Sequence, residues 1–261
     1  MEGTAPHERL TAAIRDGERE HGIALVPYLT AGYPDVNNFV PTLRAIAGVG
    51  DVVEVGVPFS DPMADGVTIQ RASHAAIAAG VSLRWILAEL GKAAEFPAPL
   101  VLMSYLNPLL AFGYGRLAVA AAESQVAGFI VPDLPLEESG ELRAGLDAHG
   151  IALIHLVTPA TPEGRMRELC AASRGFVYAV TVKGITGGAA GLPPQVTGYL
   201  DRVRSVSRLP VCAGFGVRTA EQLGSLSGHA NGVVVGSALV EELERGHDPV
   251  AFLRALRRRP P

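Results

Sequence analysis

A short apolar run, a turn rich in Gly, Pro and Asp, and an amphipathic stretch follow one another along nearly the whole chain. The apolar runs are Ala24–Thr30, Val52–Val55, Leu100–Met103, Gly128–Val131, Ala152–Val157, Phe176–Val180, Val211–Ala213 and Gly232–Val235. Helical periodicity separates them at Phe39–Ala47, Ile69–Ala79, Leu83–Glu95, Gly115–Ser124, Glu141–His149, Gly164–Ala172, Pro194–Ser207 and Ala220–Leu226. A further helix is expected at His7–Glu20 and a last one at Pro249–Arg258. Continuous apolar runs between amphipathic helices indicate parallel strands buried on both faces. Eight such units fit a closed α/β barrel, the (β/α)8 TIM-barrel architecture, with an extra N-terminal helix. An open doubly wound sheet is the rival. Its first strand would usually lead into a Gly-rich dinucleotide loop, whereas here Thr30-Ala31-Gly32-Tyr33-Pro34-Asp35 follows. No linker-like stretch divides residues 1–261, so one domain is expected.

Composition narrows the function. Of 261 residues, 48% are hydrophobic and 18% charged, enough apolar side chain for a large core. The net charge of −4, with no basic stripe, argues against nucleic acid. The polar first twenty residues lack the apolar core of a secretory signal, and no apolar stretch approaches a membrane span. A cytoplasmic protein is expected. Cys170 and Cys212 lie far apart without metal-ligand spacing and read as buried thiols.

Barrel chemistry sits at the C-terminal ends of the strands. The second run holds a carboxylate, Glu54, flanked by valines. A charge there is costly unless paired, protonated or functional, and burial raises its pKa toward that of a general acid–base. The alternative is a structural Glu satisfied by backbone donors. The next loop carries Asp61 and Asp65, each equally readable as a turn or N-cap residue. No His or further carboxylate is spaced to complete a metal shell. Gly-bearing turns follow runs six, seven and eight, at Gly184–Gly188, Gly214–Gly216 and Gly236–Ser237. Glycines also end strands for conformational reasons alone. Three such turns at consecutive strand ends, with a helix start at Ser237, can present N–H groups to one phosphate.

The segments Pro27–Pro34, Glu54–Gly66, Tyr105–Pro108, Val131–Pro135, Gly184–Gly187, Gly214–Gly216 and Gly236–Ser237 resemble, in order, those of the tryptophan synthase alpha subunit family. The likeness runs from about Leu25 to Val240, and the Glu54-to-Gly66 string is its most specific part. It implies retro-aldol cleavage of indole-3-glycerol phosphate to indole and glyceraldehyde 3-phosphate. Glu54 falls on the family's acid–base and Asp65 on the carboxylate that accepts the indole N–H. Gly187, Gly216, Gly236 and Ser237 fall on its phosphate grip. Tyr28, Met103 and Ile130 match the indole pocket, Tyr178 a tyrosine near the catalytic Glu, and Thr186 a residue that holds the Asp when its loop closes. Bare sequence allows all four pocket residues to be core packing. Asp133 reads as an anchor for the Val131-Pro132 turn.

The resemblance also implies a tryptophan synthase beta subunit as partner in an alpha2beta2 assembly, docked on Pro58–Asp65 and Asn107–Phe112. Pyridoxal phosphate belongs to that partner and this chain needs no cofactor. Some relatives act alone. Val67 replaces a common Pro, and Gly188-Ala189-Ala190-Gly191 stands where the family usually has an Arg, so a looser loop is expected. Lys183, near the end of run six, leaves open a Schiff-base aldolase. A non-catalytic activating partner is the remaining alternative, and the presence of both Glu54 and Asp65 argues against it.

Overall fold

The computed structural model describes residues 4–181, 194–214 and 216–258. Its strands are β1 (Ala24–Thr30), β2 (Val53–Gly56), β3 (Leu100–Met103), β4 (Val126–Ile130), β5 (Ala152–Ile154), β6 (Leu156–Val157), β7 (Val177–Val180), β8 (Val211–Gly214) and β9 (Gly232–Val235). All pairings are parallel, in the order β5-β4-β3-β2-β1-β9-β8-β7-β6. The first and last strands in sequence are neighbours, as barrel closure requires.

The ninth segment comes from a break within the fifth expected strand. β5 pairs with β4 and β6 with β7, so the run Ala152–Val157 still closes the ring. At its centre the His155 N–H leaves the ladder and donates to Ser173 Oγ at 3.1 Å, while the His155 carbonyl accepts from Tyr178 N–H. One hydroxyl thus replaces a strand partner, which satisfies the buried amide without a ladder bond.

Helices α1 (Pro6–His21), α2 (Phe39–Ala47), α3 (Val67–Ala78), α4 (Leu83–Lys92), α5 (Leu106–Phe112), α6 (Tyr114–Glu123), α7 (Gly140–Asp147), α8 (Glu163–Ala172), α9 (Pro194–Val206), α10 (Ala220–Leu226), α11 (Ser237–Glu244) and α12 (Pro249–Arg257) connect and cover the strands. α5 was not expected from periodicity, because its seven residues are too few to show a helical face. None of the described helices is long and apolar enough to cross a membrane.

Strand geometry sends alternate side chains to opposite faces. Leu25, Leu29, Val53, Val55, Leu102, Phe129, Val233 and Val235 join the layer between strands and helices. Ala24, Val26, Tyr28, Val52, Val101, Ile130, Phe176, Tyr178, Cys212 and Val234 fill the barrel. α1 closes the bottom of that interior. Leu10 and Ile14, one turn apart on the helix, are fully buried in it, each burial worth about 2 kcal/mol. Gly128 and Gly175 leave the room that Leu10 occupies. α1 thus covers the end of the interior opposite the C-terminal ends of the strands.

Candidate active site

Period two decides where Glu54 points. Val52 faces the barrel interior, so Glu54, two residues on, faces it too. Its register partners are Tyr28 on β1 and Val101 on β3, both interior. The side chain is 1% exposed, and neither carboxylate oxygen has a hydrogen-bond partner among the described residues. The structural alternative, a Glu held by backbone donors, therefore does not describe it. Burial, and then the charge of Asp65, push its pKa up to about 8. Glu54 is a protonated acid at neutral pH, able to give a proton and take one back.

Asp65 approaches from the loop between β2 and α3. It does not cap α3, whose N-cap is Gly66. Its Oδ2 accepts from the Tyr105 hydroxyl at 3.2 Å, and its carbonyl accepts from Gln70 Nε2 at 3.0 Å. Asp61 makes a local turn contact, accepting from Ser60 Oγ at 2.5 Å.

The surroundings of Glu54 are built from adjoining strands. Met103 is the register partner of Gly56 on one side and of Ile130 on the other. Tyr28, Ile130 and Tyr178 belong to the interior cluster and Met103 packs against it, so the structure brings these four expected residues together inside the barrel. Glycine makes the space. A Cβ at Gly56 would collide with the Tyr28 ring, and one at Gly214 would lie 2.8 Å from the Tyr178 hydroxyl. The Tyr28 hydroxyl pairs with Thr30 Oγ1 at 3.3 Å. Burial raises both phenols far above their ordinary pKa, with the Glu54 charge adding to the effect, so both remain neutral.

Two of the expected phosphate-binding turns follow β8 and β9. Gly216 is left-handed at φ +67°, a conformation that favours glycine. Gly236 is the N-cap of α11, and Ser237 begins it. A Cβ on Gly236 would touch Tyr28 at 3.6 Å, so this helix start adjoins the register partner of Glu54. Its unpaired first-turn N–H groups and dipole suit an anion. Thr186, Gly187, Lys183 and the Gly188–Gly191 segment lie outside the described residues. Among the described residues, no cluster of three or more His, Cys, Asp or Glu side chains is placed to hold a metal ion.

The family model for the tryptophan synthase alpha chain matches residues 14–256. The chain belongs to that family. The alpha chain of Nitratidesulfovibrio vulgaris is 47% identical over 249 residues, covering 95% of this chain and 97% of the relative. That of Desulfovibrio desulfuricans is 50% identical over 234 residues, 88% and 92% of the two chains. Among solved structures, tryptophan synthase from M. tuberculosis in an aminoacrylate-bound form superposes with a TM-score of 0.86 at 36% identity, covering 95% and 98%. The alpha subunit of Legionella pneumophila gives 0.84 at 31% identity, covering 98% of each chain.

Sequence reasoning assigned no role to Tyr105. Its signal was position: two residues past the end of β3, at the catalytic face of a barrel. Asp133, expected to be structural, accepts the Leu106 N–H at 2.9 Å and so caps α5 from the loop after β4.

Proposed function

We propose that Glu54 and Asp65 carry this chain's lyase reaction, the cleavage of indole-3-glycerol phosphate to indole and glyceraldehyde 3-phosphate. The observation that carries the assignment is the buried Glu54 carboxyl, held protonated to about pH 8 at the open end of the barrel. Protonated Glu54 gives its proton to indole C3, and positive charge develops on the ring nitrogen. Asp65 accepts the N–H and stabilises that charge. The Glu54 carboxylate then takes the proton of the adjacent glycerol hydroxyl. The bond from C3 to that carbon breaks, its electrons return to the indole ring, and an aldehyde forms. Glu54 ends protonated, ready for another turnover.

Tyr28, Met103, Ile130 and Tyr178 line the indole pocket in this reading. Gly216, Gly236 and Ser237, joined by Gly187, grip the phosphate, and Thr186 steadies Asp65. The steps are proton transfers and a carbon–carbon cleavage, so this chain's own chemistry calls for no cofactor; pyridoxal phosphate belongs to the beta subunit. Residues 1–261 act as one domain, in the cytoplasm, within an alpha2beta2 assembly.

The decisive assay is indole release from indole-3-glycerol phosphate by the purified chain, with and without a beta subunit. Release is expected in both, faster with the partner. Glu54→Gln is expected to abolish turnover while leaving affinity for a phosphorylated substrate analogue within about threefold. Lost affinity would make Glu54 structural instead.

A further inference from the structure

The loop from residue 57 to residue 66 has few internal ties for a segment that delivers a catalytic carboxylate. Ser60 bonds its neighbour Asp61, and Gln70 reaches back to the carbonyls of Pro62 and Asp65. His74 of α3 stands 3.2 Å from the Ser60 carbonyl, and the Val57 N–H donates to the Met103 carbonyl at 2.8 Å. Further fixation, next to Asp65 itself, comes from just past β3's end. The Tyr105 hydroxyl accepts the Ala64 N–H at 2.8 Å and donates to Asp65 Oδ2 at 3.2 Å. Its ring stacks on Phe59, with centroids 5.0 Å apart and planes 27° apart. Both ends of the loop are therefore held by one side chain. Tyr105 is itself well fixed. It is 5% exposed, and α5, which it leads into, is capped by Asp133.

We propose that Tyr105 is a positioning residue for Asp65: its hydroxyl bridges the Ala64 amide and the Asp65 carboxylate and sets that carboxylate toward the ring nitrogen of the substrate. The inference rests on the role given to Asp65 above. The chemistry suits it. A phenol can accept one hydrogen bond and donate another at once, which neither Phe nor a carboxylate can do. Burial and the Asp65 charge push the Tyr105 pKa up to about 12, so it stays a donor across the working range. A donor on a carboxylate stabilises the ionised form, the form that must face the developing positive charge.

Tyr105→Phe keeps the stack and removes the bridge. Misaligning a group that acts mainly in the transition state is expected to lower kcat about ten- to a hundredfold, with KM changed less than about threefold. The alkaline limb of the kcat profile is expected to move to lower pH, because the Asp65 charge contributes to the raised Glu54 pKa and would no longer be held in place. That limb does not depend on how much protein is folded. In single-turnover assays at high enzyme concentration, Tyr105→Phe is expected to cost less than threefold in an Asp65→Asn background. Parental kcat and pH profile in Tyr105→Phe would overturn the proposal, as would an equal loss with and without Asp65→Asn. Parental turnover in Asp65→Asn alone would instead overturn the site assignment, and this inference with it.

Discussion

The ring of Tyr28 lies across Gly56: a Cβ at position 56 would stand 2.7 Å from Tyr28 Cε2 and closer still to the hydroxyl. Gly56 sits two positions along β2 from Glu54, and Tyr28 is the register partner of Glu54 on β1. One glycine therefore sets how near the aromatic wall stands to the acid. Gly56→Ala is expected to force the ring aside, costing about 1–3 kcal/mol of stability and raising KM. Tyr28→Leu, which removes the colliding ring atoms, is expected to recover most of the lost stability in the double variant but not the KM. Urea denaturation and steady-state kinetics on the three variants check this; additive stability losses would mean that the two positions do not press on one another.

How much of this was legible beforehand depended on how local its causes are. Strands buried on both faces announce themselves as apolar runs, and α2 and α10 fall where periodicity placed them. Glu54 stood out because a charge inside such a run has few bland explanations. The break at His155 was invisible, because it is made by Ser173, eighteen positions on. α5 was missed because seven residues show no helical face, and the side chain that caps it, Asp133, comes from the next strand's loop. Asp65 read as a possible N-cap because any polar residue before a helix does; backbone geometry gives that place to Gly66. Tyr105 had only its place two residues past β3 to mark it, since its partners lie about forty positions earlier.

His155 is 5% exposed, and its Nε2 has no hydrogen-bond partner among the described residues. Burial first, then the charges of Arg143 and Arg165, lower its pKa from 6.5 to about 4. The unfolded chain therefore binds a proton that the folded chain refuses between those values. Stability is expected to fall as pH drops from about 6.5 to about 4, with this site contributing up to about 1.4 kcal/mol per pH unit. His155→Leu is expected to flatten that slope. Urea midpoints from pH 7 to pH 4.5 decide the point, and an unchanged slope would assign the acid sensitivity to other groups.

Met63, 86% exposed in the loop after β2, and Leu110, 52% exposed on α5, are large apolar side chains beside the mouth of the barrel. They lie within the two segments expected to meet the beta subunit. Apolar groups left in water beside a site suit a partner surface. Leu110→Asp is expected to reduce the acceleration of indole release by the beta subunit at least tenfold, while turnover of the isolated chain stays within twofold. Titrating the beta subunit against parent and variant measures both; undiminished acceleration would move the contact elsewhere.

Glu54 links stability and chemistry with opposite signs. Its carboxyl has a folded pKa of about 8 against an ordinary 4.5, so the folded chain holds the proton more tightly than the unfolded chain. Its contribution is fully present below about pH 4.5 and is lost progressively as pH rises through about 8. Above that pH the fold must carry a buried carboxylate or protonate it against the bulk. Glu54→Gln keeps the shape and removes the ionisation. The variant is expected to match the parent near pH 5 and to exceed it near pH 8.5 by an amount on the order of a few kcal/mol, while being inactive. The same titration limits the parent's kcat, which is expected to decline above about pH 8 as Glu54 loses the proton it must deliver to carbon. Thermal melts at pH 5 and pH 8.5 test the first expectation, and a kcat profile from pH 6 to pH 10 tests the second. An equal stability difference at both pH values would mean that Glu54 is ionised in the fold throughout, and the acid that protonates indole C3 would have to be another group.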